Sequence, residues 1–110
     1  MEKSKIETYL GFCIRSGKII FGTEMIERKK KGVHMLVVDG NIGKNSLKIM
    51  LQAKETLGCN LYVTSEGALG EWVHRPAVKA VAITDKNLAS AIETVVDGEP
   101  KLKLYSGGNN

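Results

Sequence analysis

Apolar residues at Ile6, Tyr9, Leu10, Cys13 and Ile14 recur at a helical spacing with one inward face, which predicts a helix over residues 3–16. Gly17 can take the left-handed conformation that closes it. Ile19, Ile20 and Phe21 are β-formers in a run too short for a helix, so a strand is expected over 18–21. Gly22 and Thr23 then open a second helix over 23–31, with Thr23 as N-cap and Gly32 at its end. Met35, Leu36, Val37 and Val38 form an apolar run without alternation, the pattern of an inner strand covered on both faces. Residues 39–45 are turn-rich. Asn45 or Ser46 caps a third helix that carries Leu47, Met50, Leu51, Ala53 and Leu57 and ends at Gly58. A strand follows at Leu61–Thr64, and a short helix opens at Thr64 or Ser65 and runs to Trp72. Pro76 restricts Arg75 and cannot continue a helix, so residues 74–76 are a loop. A strand is expected over 78–83, and Asp85 caps a last helix with Leu88, Ala91, Ile92, Val95 and Val96 inward.

Helices and strands alternate throughout, which predicts an α/β domain with its sheet covered on both faces. At 110 residues the chain is one domain by length, expected to occupy residues 1–96. From Asp97 on there is little to bury, and 97–110 reads as a mobile tail ending Gly107-Gly108-Asn109-Asn110. The longest apolar runs are about five or six residues, too short to span a membrane. No leader for secretion opens the chain. Cys13 and Cys59 lie far apart and form no C-x-x-C pair, which suits two reduced thiols. The expected compartment is the cytoplasm.

Charge refines the picture. The net charge is +4. Residues 1–58 carry eleven Lys and Arg against six Asp and Glu, whereas residues 59–110 carry five against six. One basic face is expected, and the usual partner of such a face on a small domain is nucleic acid.

Catalytic patterns are sparse. His34 and His74 have no Cys, Ser or acid at a spacing that suggests a triad, and metal-ligand spacings are absent. No cofactor or metal is expected. Gly40-Asn41-Ile42-Gly43-Lys44-Asn45-Ser46 lies between a strand and a helix, where a phosphate-binding loop would lie. That loop needs four residues between its glycines and Ser or Thr after the Lys. Here two residues intervene and Asn45 follows Lys44, which argues against nucleotide hydrolysis. Lys44, Asn45 and Lys48 remain available to a phosphate backbone. In the second helix, Glu24–Arg28 and Glu27–Lys31 are favourable (i, i+4) pairs that also suit the helix dipole. The run Arg28-Lys29-Lys30-Lys31 is denser than helix stability needs and would track phosphates.

The stretch Leu10-x-x-Cys13-x-Arg15-Ser16-Gly17-Lys18-Ile19-x-x-Gly22 resembles the N-terminal signature of the kink-turn RNA-binding ribosomal protein family, on the side of the small bacterial YlxQ-type proteins. Further pieces match in order: Gly22-x-Glu24-x-x-x-Arg28, the strand Met35–Val38, Asn45-Ser46-x-Lys48, and Leu69-Gly70-Glu71 leading to Arg75-Pro76-Ala77-Val78 and the strand to Asp85. The resemblance spans residues 6–96. It implies a three-layer α-β-α sandwich with a mixed four-stranded sheet. It also implies a non-catalytic RNA-binding protein that holds bent or structured RNA at one end with three loops.

Carried onto this sequence, the first loop is Gly22 to Arg28, with Thr23 beside the glycine. There the resemblance implies that Glu24 and Arg28 face the guanines of tandem sheared G·A pairs, with Lys18 and Lys29–Lys31 on phosphates. The second loop is Asp39–Asn45, with Asn41, Lys44 and Asn45 near the backbone. The third follows Gly70 and is apolar in the family; here it comprises Trp72, Val73, His74 and Arg75. It is two or three residues shorter than in the family and carries the chain's single tryptophan, which either stacks on a flipped base or packs into the space the missing residues leave. The alternative function is a protein-interaction or dimerisation module on the same fold, with a protein partner or a second copy of the chain.

Overall fold

A computed structural model describes residues 4–106. The expected Gly107–Asn110 end lies outside the described residues. The first helix, α1, spans Lys5–Arg15; the Ser4 side chain caps it by accepting from the Ile6 N–H, and Ile6, Leu10 and Cys13 face inward. Gly17 at φ 71° reverses the chain, and the Lys18 N–H reaches back to the Cys13 carbonyl at 2.8 Å. Strand β1 is Ile19–Phe21 and helix α2 is Thr23–Glu27. Then come β2 (Met35–Val38), α3 (Lys44–Leu57), β3 (Asn60–Thr64), α4 (Ala68–Val73), β4 (Ala80–Ile83) and α5 (Lys86–Val95). Asp85 caps α5 as expected, accepting from the Leu88 N–H at 2.9 Å.

Helix α2 is shorter than the expected 23–31. Ile26 is its one buried residue, and the positions three and four further on are Lys29 and Lys30. With no second apolar anchor, nothing holds another turn to the sheet. Gly22, not Thr23, is its N-cap residue, and no side chain caps it. Helix α3 starts two or three residues early, with Gly43 in place of Asn45 or Ser46 before its first turn. Helix α4 opens at Gly67 rather than at Thr64 or Ser65.

Among the described residues the sheet has five strands in the order β1-β4-β2-β3-β5, where β5 is Leu102–Leu104. Strand β2 pairs in parallel with β3, while the β1–β4, β2–β4 and β3–β5 pairings are antiparallel. The expected four-stranded sheet and the boundary at residue 96 are therefore corrected. Past a 3-10 turn at Val96–Gly98, the chain doubles back and pairs Leu102 with Thr64 and Leu104 with Tyr62. Leu102 is 3% exposed and joins the core, which is why the segment is held.

Strand β2 is buried throughout, as its unbroken apolar run requires. Met35 and Val37 pack with α1, α4 and α5 through Leu10, Trp72 and Ile92. Leu36 and Val38 pack with α2 and α3 through Ile26 and Met50. Helices thus cover both faces of the sheet. β1, β2 and β3 all end at the same edge of the domain, where β4 begins.

Candidate nucleic-acid interface

Three loops meet at that edge because β4 enters between them. Gly22, at φ 90°, turns out of β1 and donates its N–H to the Ala80 carbonyl at 2.9 Å. A side chain there would be strained by the positive φ. On the other side of β4, the Asp39 N–H donates to the Lys79 carbonyl at 2.9 Å. The two loops after β1 and β2 are therefore fixed to one segment.

The Asp39 side chain is fully buried and ties in the third. Its Oδ2 accepts from the N–H groups of Asn41 (2.9 Å) and Gly67 (3.0 Å), and its Oδ1 from the Leu69 N–H and the Thr64 hydroxyl, both at 3.1 Å. Burial pushes its pKa up, but the four hydrogen bonds outweigh that and hold it below the ordinary carboxylate value. Its charge is spent inside the protein. Gly40 presses against the strand end beside it: a Cβ there would lie 2.5 Å from the Thr64 carbonyl oxygen.

The loop after α4 folds back toward β1. The Arg75 N–H donates to the Gly70 carbonyl at 2.9 Å, and a Cβ on Gly70 would stand 3.0 Å from backbone atoms of Arg75 and Pro76. His74 takes a left-handed φ of 59° in that turn. The Arg75 guanidinium lies over the Phe21 ring, 4.4 Å from its centre, and Nη1 donates to the Val73 carbonyl at 3.0 Å.

Between the β1–α2 turn, the first turn of α3 and the segment that enters β4 lies an open cleft of about 320 Å³, lined by Phe21, Gly22, Thr23, Ser46 and Ala77–Ala80. Among the described residues its lining carries one cation, Lys79, and no carboxylate. Asn41, Lys44 and Asn45 are exposed on the neighbouring loop and first turn of α3. Glu24 and Arg28 are exposed and four residues apart, on one face of α2. The ion pairs among the described residues are Lys54–Glu55 and His74–Glu7, so Arg28 keeps its guanidinium donors.

Four expected site residues fall elsewhere. Lys18 precedes β1, and its carbonyl accepts from the Thr84 N–H at 3.0 Å at the opposite end of the sheet. Lys29 follows the last turn of α2, and Lys30 and Lys31 line a hollow of about 440 Å³ with His34, Gly58 and Asn60, also at that opposite end. Val73 is fully buried and Gly70 buried, so neither side of that turn presents an apolar surface. Trp72 is 4% exposed and belongs to the core, which settles its two readings for packing. His74 is exposed, but its Nε2 lies 3.1 Å from the Glu7 carboxylate on α1. Sequence reasoning passed over Phe21, Ser46 and Lys79. Lys79 was hidden because the apolar run predicted a strand from Val78, whereas β4 starts at Ala80.

No protein-family model and no curated protein matches the chain. Among solved structures it is similar to one from Bacillus halodurans C, described as a protein with unknown function. The TM-score is 0.75 at 15% identity, over 86% of this chain and 99% of that one. At that identity the likeness is one of fold, and the chemistry rests on this chain's own residues.

No three His, Cys, Asp or Glu residues converge among the described residues. Burial, with the Asp85 charge nearby, pushes the Cys13 thiol up to about 11, and burial also raises Cys59. Both are poor nucleophiles as a result. No helix of the described residues is long and apolar enough to cross a membrane.

Proposed function

We propose that the protein is a non-catalytic RNA-binding protein that recognises a bent RNA of the kink-turn kind with the loop edge of its sheet. The observation that carries this reading is the convergence of three loops distant in sequence. Residues 22–28, 39–45 and 70–75 are brought to one edge by Gly22–Ala80, Asp39–Lys79, Asp39–Leu69 and Arg75–Phe21 contacts. Those are the segments that the family resemblance marks.

The chemistry fits the reading. The Arg28 guanidinium presents two donors to guanine O6 and N7, worth about 1–3 kcal/mol of discrimination. The Glu24 carboxylate accepts from guanine N1–H and its exocyclic amine. Lys44 and Lys79 flank the cleft for phosphates, while Asn41 and Asn45 supply neutral donors. By holding the bent form more tightly than the extended one, the protein shifts the RNA's equilibrium toward the bend.

The test is titration of a kink-turn duplex against one whose G·A pairs are replaced by Watson–Crick pairs. The reading expects preference for the first, largely lost in Arg28→Ala. Equal wild-type affinities would sink the specific claim, and weak, steeply salt-dependent binding to both would leave general RNA binding. One feature favours a protein partner instead: Met25, 53% exposed beside Glu24 on α2. A Met25→Lys variant that keeps RNA preference would set that reading aside.

A further inference from the structure

A hollow of about 250 Å³ lies between α1 and α4, away from the Glu24–Arg28 face. Its floor includes Ile14 and Trp72, and Arg15 and Arg75 line it from opposite elements. Gly11 sits in the middle of α1, where glycine is the poorest helix former after proline. Its missing Cβ leaves the wall open beside Arg15, since a Cβ there would touch Arg15 Nη1 at 3.4 Å. The Arg15 guanidinium also rests 4.9 Å from the centre of the Phe12 ring. Phe12 does not line the hollow itself but is 44% exposed beneath Arg15, which does.

Neither guanidinium forms an ion pair among the described residues. The carboxylate that lines the groove, Glu7, is held by His74. Two cations over an apolar floor, with an exposed aromatic ring next to one of them, match what single-stranded nucleic acid requires: donors for phosphates and a face for a base. The groove also joins the proposed interface. Phe21 carries Arg75 above it and lines the Gly22 cleft, so the two depressions meet at that pair.

We infer that the α1–α4 groove binds a single-stranded RNA flank leaving the bent motif, with Arg15 and Arg75 on phosphates and a base stacked on Phe12. The inference rests on the RNA-binding reading and names where the strand runs once it leaves the motif. Last-turn charge alone would explain an arginine at the end of α1, but not the glycine-opened wall or the exposed ring.

The experiment compares a blunt kink-turn duplex with duplexes carrying a single-stranded flank of about six nucleotides at one end or the other. Wild type, Arg15→Gln and Phe12→Ala are titrated over a salt series. One flank should tighten wild-type binding about tenfold, the size of one charge-assisted contact. Arg15→Gln should remove that gain and lower the salt slope by about 0.7, one single-strand phosphate. Phe12→Ala should reduce the gain with the slope unchanged, and both variants should bind the blunt duplex as wild type does. No gain from either flank, or an equal gain in Arg15→Gln, overturns the inference. The same flanks on a duplex without G·A pairs separate the two ideas. If kink-turn preference is absent but the Arg15-dependent gain persists, the motif reading fails and the groove stands. An unstructured oligonucleotide alone covers the case of no duplex binding: binding that Arg15→Gln weakens supports the groove, and no binding overturns it.

Discussion

The Asp39 carboxylate and the Leu69 N–H, 30 residues apart in sequence, are joined by a buried hydrogen bond of 3.1 Å. With its bonds to Gly67, Asn41 and Thr64, this one side chain fixes the end of β2, the end of β3 and the start of α4. An amide cannot replace it, because its NH₂ would face N–H or O–H donors on one side. Asp39→Asn should cost about 3 kcal/mol, the penalty of one or two buried donors left without an acceptor. Urea denaturation measures it.

The same carboxylate sets an acid dependence. Its folded pKa is held below the ordinary value of 3.8, so its contribution is complete above the unfolded value and is lost as pH falls through the folded one. The stability gap between wild type and Asp39→Asn should be constant from about pH 6 to pH 5 and should narrow below about pH 4. A gap that stays constant down to pH 2.5 would show that the carboxylate is not what the four donors need.

Gly40→Ala should destabilise the protein by about 1–3 kcal/mol. Its Cβ would meet the Thr64 carbonyl oxygen at 2.5 Å and the Glu66 nitrogen at 3.1 Å, and backbone cannot swing aside as a side chain can. Gly43→Ala is the control: nothing lies within 4 Å of its Cβ and its φ of −72° suits alanine. That change should cost only the poorer capping of alanine, about 0.5–1 kcal/mol, and less than Gly40→Ala. Thermal melts of the two variants separate close packing from glycine content.

Leu102→Ala should cost about 2–4 kcal/mol, the usual range for a buried leucine, although the residue lies in a segment whose sequence reads as a tail. Equilibrium unfolding checks it. A cost below about 0.5 kcal/mol would mean that β5 adds no stability to the sheet.

The α/β layering was legible because Met35–Val38 is long enough and apolar enough to declare an inner strand, and because Asp85 and Gly58 mark helix ends with side-chain and backbone chemistry. Strand β5 was not legible. Its alternation, Leu102-Lys103-Leu104, is three residues long, and only the return turn at Glu99–Pro100 lets Leu102 reach the core. The loops at 22, 39 and 70 were legible as turns, but what gathers them was not. Asp39 read as a turn residue, whereas its partners at residues 64–69 are brought to it by tertiary structure alone. The lysine run misled for the opposite reason: adjacency to Arg28 in sequence implied adjacency to the cleft, and the short α2 carries the chain away toward the start of β2.

That separation gives a last prediction. Strand β2 spans about 13 Å between the far-end lysines and the cleft, more than the Debye length of about 8 Å at physiological salt. Lys30 and Lys31 are therefore screened from a phosphate held at Gly22 or Lys44. Lys30→Ala/Lys31→Ala should change kink-turn affinity less than about threefold and leave the preference over the G·A-replaced duplex intact. Lys44→Ala, at the cleft end, should lower the salt slope by about 0.9, one duplex phosphate, with the preference also kept. Arg28→Ala should do the reverse and reduce the preference with little change in slope, because its proposed partner is a base edge and not a phosphate. Slope and preference thus vary independently across the three variants. A loss of slope in the Lys30/Lys31 variant as large as that in Lys44→Ala would mean that the RNA wraps past α2 to the far end of the sheet.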